Sequence, residues 1–466
     1  MILPPRRGAG RLRPLLAGPT GQVTVGNVAS RATGLLRVLA IGGALGTTYL
    51  GNAYQSANLV SNLLFELLAA GMLSSVLVPP FVALVDADRA DEAARLAGAV
   101  LGVSLAVLGV VTGLGLVARP WLVRMLTVAV PDGQVREAEI RLGSFLLVFF
   151  LPLVLLYAMG AVATALLHST RRFAAAAFAP VANNVLVIAT MGSFWALSGG
   201  DTGLDLSGTQ RALLAVGTTG GVVAMTVVPL VALHRAGIRL RPRWEPHAPQ
   251  LRAIGRAGAW GAVAVAMAQV LIAATLVLAN RVEGGVVAWQ IAFAFFLLPY
   301  AVLAHPVTTT LYPRLAAEAV GRRWRSFADS LGDGLGTIVF WTVPASALLV
   351  VVGPRALELI RLGALDAAGT TLVGRVVAAY AFGVTGYAAI HLFTRAAYAT
   401  GDMRSPGLVA VAVAVGGTAL MAGWSAAVSG EDQVDALGLA HSVAMVAGAV
   451  ALIYVVRRRA GETVPV

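Results

Sequence analysis

Arg31, Arg37, Asn52, Gln55, Asn58, Asn62 and Glu66 fall within Ser30 to Pro80, a stretch otherwise apolar enough to cross a bilayer twice. Each ionised group at bilayer depth costs about 2.5–3.5 kcal/mol on insertion scales, so such groups persist where they face water, a partner or a cargo. Gln55, Asn58, Asn62 and Glu66 follow at spacings of three, four and four, one polar stripe of helical period. Arg31 and Arg37 are six positions apart, about 600° of helical rotation, and therefore lie on adjoining faces. Two chemistries fit this constellation. In one, Glu66 pairs with Arg31 or Arg37 and the amides bond across helices, a buried network. In the other, the helix pair lines a hydrophilic cavity whose guanidinium groups hold a phosphate or diphosphate in bidentate fashion.

Polar residues elsewhere carry weaker signals. Asn183 and Asn184 suit hydrogen bonds between helices, while Gln269 and Gln290 fit either packing or the second wall of a cavity. Arg375 stands near a helix start, where its side chain can reach the interface. His391 and Arg395 are four apart near a helix end, where Arg395 would cap the helix or meet headgroups. His305 and His441 are isolated, which favours satisfied core or loop roles. The chain has no cysteine, which removes thiol nucleophiles, disulfides and Cys metal sites. The run GTTGG at 217–221 lacks the following Lys of a phosphate loop. No metal cluster or catalytic triad is visible, so neither enzymatic catalysis nor ATP-driven transport by this chain alone is expected, and no cofactor.

The elements that must position these residues are membrane helices. Of 466 residues 58% are hydrophobic and 12% charged, about half the charged fraction of a soluble domain. Apolar runs of about twenty residues recur from end to end. The expected spans are 23–46, 53–84, 93–117, 142–167, 174–198, 209–233, 253–281, 285–312, 331–352, 371–397, 406–429 and 437–456. The net charge of +12 comes from 34 basic residues, all Arg. The positive-inside rule accounts for it without nucleic acid. Arg6–Arg13, Arg171–Arg172, Arg235–Arg256, Arg314–Arg325, Arg404 and Arg457–Arg459 fall on one side of a twelve-helix count. Asp201, Asp205, Glu431, Asp432 and Asp435 fall on the other. Both termini are thus expected in the cytoplasm of a cell whose cytoplasmic membrane holds the chain. Residues 1–22 lack the apolar core of a signal peptide and read as a disordered tail.

The chain also looks duplicated. LVPPF at Pro79 and LYPRL at Pro313 stand 234 positions apart, and Arg172 of HSTRRFAAAAFAP precedes Arg404 of YATGDMRSPG by 232. The expectation is an all-α protein of two six-helix lobes, 23–234 and 253–457, joined by a basic linker at 235–252, with a tail at 458–466. An even number of helices per repeat gives both lobes one orientation, related by an axis along the membrane normal. Gly42–Gly46, Pro152, Pro180, Pro299 and Pro344 offer bend points or close-packing positions.

SRATGLLR (30–37), NAYQSANLVSNLL (52–64), AAGMLSSVLVPPF (69–81), RRFAAAAFAPVANN (171–184), LPYAVLAHPVTTTLYPRLA (298–316) and RAAYATGDMRSP (395–406) run in order over most of the chain. In them the sequence resembles the MurJ/MviN family of lipid II flippases, within the multidrug/oligosaccharidyl-lipid/polysaccharide exporter superfamily. The resemblance implies a transporter that moves a polyprenyl-diphosphate-linked peptidoglycan precursor between leaflets by alternating access. It implies that the precursor and membrane lipids are the partners, with cell-wall synthesis proteins as further candidates. The implied substrate-binding set is Ser30, Arg31, Arg37, Asn52, Asn62 and Glu66. Ser30, Arg31 and Arg37 match family positions, as does Asn62, whose usual Pro neighbour is here Ser61. Gly71 keeps a family glycine beside Ala70, where an acid is usual. Val38 replaces an acid, Asn52 replaces an Asp, and Phe65 and Ala294 occupy places of cavity arginines. The alternatives are a divergent paralogue that exports another lipid-linked glycan or a drug, and a non-transporting scaffold for cell-wall enzymes.

Overall fold

A computed structural model of the chain describes residues 19–67, 78–87, 89–245, 249–359 and 361–463. Among them the protein is helical, with one isolated β-bridge between Leu362 and Leu365. The first run of helices comprises α1 (Pro19–Leu45), α2 (Tyr49–Phe65), α3 (Val78–Asp86), α4 (Ala90–Leu126), α5 (Gly133–Phe150), α6 (Leu153–Ser169), α7 (Ala174–Ser198) and α8 (Gly208–Arg235). The second comprises α9 (Pro249–Ala279), α10 (Gly285–Pro299), a π-helical turn at Tyr300–Ala304, α11 (His305–Val320), α12 (Trp324–Val351), α13 (Gly353–Glu358), α14 (Ala367–Ala381), α15 (Val384–Ala399), α16 (Arg404–Ala427) and α17 (Asp432–Thr463).

Ten stretches among the described residues are long and apolar enough to cross a bilayer. The α14–α15 pair, bent by 43°, adds an eleventh. The expected second span is described as α2 and α3, on either side of residues 68–77. Ala70 and Gly71 lie outside the described residues, as does the N-terminal tail through residue 18. α17 continues through Thr463, into the stretch 458–466 expected as a tail. α9 likewise begins at Pro249, inside the stretch expected to be linker.

Local chemistry sets the breaks. Pro152 has no N–H to continue the ladder, and α5 gives way to α6 there. Pro299 precedes the π-helical turn, whereas Pro180 and Pro344 sit inside uninterrupted helices. Asp132 caps α5 by accepting from the Gln134 and Val135 amides, so the helix starts well before the position expected from hydropathy. Ser207 and Gln210 close a capping box on α8, and Asp366 caps α14.

α1 lies along α7, α7 along α8, and α8 along α6, while α2 packs on α5. In the second run α9 packs on α16, α16 on α17, and α17 on α14 and α15. The links 46–48, 127–132, 199–207, 280–284, 359–366 and 428–431 gather at one end, here the far end. α1 begins and α17 stops at the other, near end. The main apolar core joins both runs at the far end, with Leu45, Leu50, Tyr54 and Phe150 against Val286, Val287 and Ile291. Smaller clusters lie within single runs, one around Phe81 and Leu166 and one around Phe327 and Leu392.

Candidate functional site

The far end is sewn shut between the two runs. Asn52 is fully buried, and its amide donates to the Val282 carbonyl at 2.9 Å and accepts from the Val286 amide at 3.0 Å. In this conformation the amide meets backbone and not the cavity expected for it. Both ends of the amide are spent on the backbone at the start of α10, so the side chain bolts the runs together. Backbone also meets backbone. The Ala364 amide donates to the Gly43 carbonyl at 2.7 Å, and Gly363 (φ +55°) approaches so closely that a Cβ there would overlap the same oxygen. Gly284 (φ +68°) presses equally hard on Thr47. A third seam joins α9 to α4 and α5, where Asn280 donates to the Leu126 carbonyl and to Glu139, both at 3.2 Å. Glu139 is fully buried inside a span. Sequence reasoning missed it because residues 119–141 read as a polar link. The signal was Asp132, a helix N-cap seven residues earlier.

Away from this seal the two runs place cations beside the same groups. Arg31 is exposed at mid-helix on α1, and its charge acts on Tyr300, His305 and Tyr387 of the second run. Arg395 on α15 acts on Tyr300, His305 and His391. Tyr300 and Tyr387 flank His391 with ring centroids 4.8 and 4.6 Å away, and Tyr312 lies under the Arg395 guanidinium at 5.7 Å. Arg395 is thus the cation that sequence reasoning assigned to a cap or to headgroups. Its spacing of four from His391 was the legible clue. Tyr300 begins the π-helical turn, and residues 66–67 at the end of α2 are also π-helical, 234 positions earlier. π-helical turns recur at functional sites because they re-aim side chains.

Neither Arg31 nor Arg37 forms an ion pair with Glu66 among the described residues, so that buried network is absent. Arg37 is half-buried on α1 near Tyr54 and Tyr157, and its Nε is buried without a hydrogen bond. Asn62 and Glu66 are half-buried on α2. Ser30 contributes its carbonyl, which accepts from Asn184 at 3.3 Å, while Asn184 also donates to Thr33 at 3.0 Å. Asn184 therefore ties α7 to α1, as expected. Arg375 departs from expectation. It pairs with Asp435 at 2.9 Å and Asp432 at 3.1 Å at the far end, with Glu431 at 3.9 Å. His441 is buried among Phe293, Phe296 and Tyr380, in keeping with a core role.

A family model described as lipid II flippase MurJ matches residues 41–464. The chain belongs to the lipid II flippase MurJ family. "Probable lipid II flippase MurJ" of Rhizobium meliloti (strain 1021) is 29% identical over 403 residues, which cover 85% of this chain and 72% of that one. The solved structure of "Lipid II flippase MurJ, inward closed conformation" superposes with a TM-score of 0.75 at 18% identity, covering 93% and 87% of the two chains. An inward-facing multidrug-resistance MATE transporter of the MOP superfamily superposes with a TM-score of 0.74 at 12% identity, covering 93% and 95%. These likenesses establish the fold.

Against the MurJ family pattern, the departures in this chain are absorbed by packing. Val38 is buried in the main core, where an acid would have no partner. Phe65 packs on Tyr157 with ring centroids 5.5 Å apart, and Ala294 packs against the main core. The Ser61 hydroxyl donates to the Phe150 carbonyl, which ties α2 to α5. Apolar side chains thus stand at these positions of α2 and α10, while Arg395 on α15 lies over Tyr312.

Proposed function

We propose that the chain moves a polyprenyl-diphosphate-linked peptidoglycan precursor across the cytoplasmic membrane by alternating access, with both termini in the cytoplasm. The observation that carries the reading is the convergence of Arg31 and Arg395, from opposite runs of helices, on Tyr300 and His305. A guanidinium with no carboxylate partner in an apolar bundle is poised for an anionic head, which it can grip through paired N–H donors. Arg37 lies six positions further along α1 and would meet the same anion deeper in the bundle. Asn62 and Glu66 would border it from α2, and Ser30 would contribute at the near end.

The sealed far end supports a conformation whose cavity is open toward the near side, where the cargo head enters. Opening then requires the two lobes, 23–234 and 253–457, to rock about the axis between them. Asn52 bonds the residue that stands 234 positions later, the offset of the sequence repeat. A contact between equivalent positions sits on such an axis. The paired π-turns at the same offset place a hinge in each lobe.

The test is complementation in a bacterium whose own lipid II flippase can be switched off, with membrane insertion checked in parallel. Rescue is expected for the wild type, and Arg31→Ala with Arg37→Ala should insert normally and fail to rescue. A well-inserted wild type that fails to rescue would sink the reading. Phe65 and Ala294 favour the second reading in that event, a divergent paralogue with a smaller or less anionic lipid-linked cargo. Native mass spectrometry of co-purified lipids would separate it from a scaffold, which carries no such lipid and should keep its cell-wall partners in the double mutant.

A further inference from the structure

The third far-end seam contains groups that packing leaves unsatisfied. Glu139 has no exposed surface, and one carboxyl oxygen, Oε2, accepts from Asn280. Its other oxygen, Oε1, has no partner, and Asn280 Oδ1 is a second buried oxygen without a donor. The orientation of the Asn280 amide is fixed, because Nδ2 must reach the Leu126 carbonyl. Two orphan acceptors on one hydrogen-bonded pair call for a donor or a positive charge.

The surroundings supply neither. Arg136 and Arg141 on the same helix, Arg211 on α8 and Arg281 in the 280–284 link make no ion pair with Glu139 among the described residues, and Arg124 on α4 lies over Trp121. The other charged neighbours are acidic. Glu139, Asp132 and Glu283 all act on Tyr49 at the head of α2, and Glu283 comes from the opposite run. Closure of the far end therefore withdraws the Glu139 carboxyl from water with no cation beside it. Two free oxygens are too few to wrap a metal ion, which takes about six.

We propose that Glu139 is a proton-binding site at the seam between the lobes, occupied while the far end is closed. The proton sits on Oε1, neutralises the buried acid and provides an O–H donor beside Asn280 Oδ1. When the seam parts, the O–H bond breaks and the proton passes to solvent at the far side, leaving a hydrated carboxylate. Rebinding from that solution is required before the seam can close again. Acid on the far side thus favours the closed far end. The proposal rests on the alternating-access reading above and adds a ligand to it.

The test uses the full chain in lipid vesicles with spin labels at Val128→Cys and Leu359→Cys, both exposed far-end positions on opposite runs. The chain has no cysteine of its own to interfere. Between pH 5 and pH 9 the population at longer label distance should rise at least fivefold in the otherwise unaltered protein. Glu139→Gln should hold one distribution throughout, and Glu139→Met serves the same comparison if the amide does not insert. A distribution that ignores pH, or a glutamine variant that follows pH as the parent does, overturns the proposal. Asn52→Ala, which frees a different seam, separates the two levels. If it populates the long distance while pH has no effect, the proton site alone fails. If it too stays closed, the alternating-access reading fails with it.

Discussion

Arg31 and Arg395 reach the same aromatic and imidazole groups from different lobes, and neither is neutralised by a carboxylate among the described residues. A cation that lies over the Tyr312 ring behaves differently from one that caps a helix. Arg395→Ala should therefore lower flipping at least tenfold, measured by rescue and by a reconstituted lipid-translocation assay, with insertion unchanged. Arg395→Lys should fall between, since an ammonium cannot form the paired N–H contact. An effect confined to protein level would return Arg395 to a capping role. Asn52→Ala acts at the other end of the bundle. It strands the Val286 amide in the core, a loss of about 1–3 kcal/mol, while the Val282 carbonyl keeps its bond from the Gly285 amide. The far end should loosen, which the label distance reads. At this scale the sequence was informative about Arg31, because an arginine in an apolar run has few bland explanations. It did not show what Asn52 meets, since an amide that lines a cavity and one that staples two lobes share the same local pattern. Only the partner, some 230 positions away, decides between them.

α2 and α10 end in the same irregularity at equivalent places. α2 turns π-helical at Glu66–Leu67, and α10 does so at Tyr300–Ala304. A π-turn amounts to one extra residue in an α-helix, so deleting one residue restores the regular ladder and leaves the remainder of the helix in its present register. Removal of Val302, whose side chain is exposed, should leave a straight span that still inserts. It should keep His305 on the face of Tyr300, whose rings now lie 6.0 Å apart, while it removes the wide turn and reduces flipping at least tenfold. Unaltered transport by the deletion would show that the turn is a packing accommodation. The number and order of spans were legible, because a bilayer demands about twenty apolar residues in a row and little else mimics that. Span ends were less so. Hydropathy placed the start of helix four near 142, whereas the Asp132 cap sets it at Gly133 and draws Glu139 inside. The π-turns left no trace in composition, for their cause is the packing of neighbours and not the residues that adopt them.

For the whole molecule the decisive property is that the far end closes through several short contacts laid over the apolar core that joins the two runs. Gly43 on α1, Thr47 in the link, Asn52 on α2 and Glu139 on α5 each meet a separate partner in the second run. Such a seal can part as a unit if the lobes rock, and a covalent tie across any one seam should hold all of them. Thr47 and Gly369 suit this purpose. A Cβ at Gly369 would lie against Thr47 Oγ1, the atom whose place a cysteine Sγ would take, so the two positions face each other across the seam. The pair Thr47→Cys with Gly369→Cys should therefore cross-link under mild oxidation, against a background free of native thiols. If transport requires the far end to open, the oxidised protein should flip its cargo at least tenfold more slowly and recover on addition of a reductant. Each single variant should be unaffected by oxidant. A scaffold has no such requirement, and its partner binding should persist in the locked form. Full activity with the cross-link demonstrably formed would mean that the cargo leaves by a route that never parts this seam.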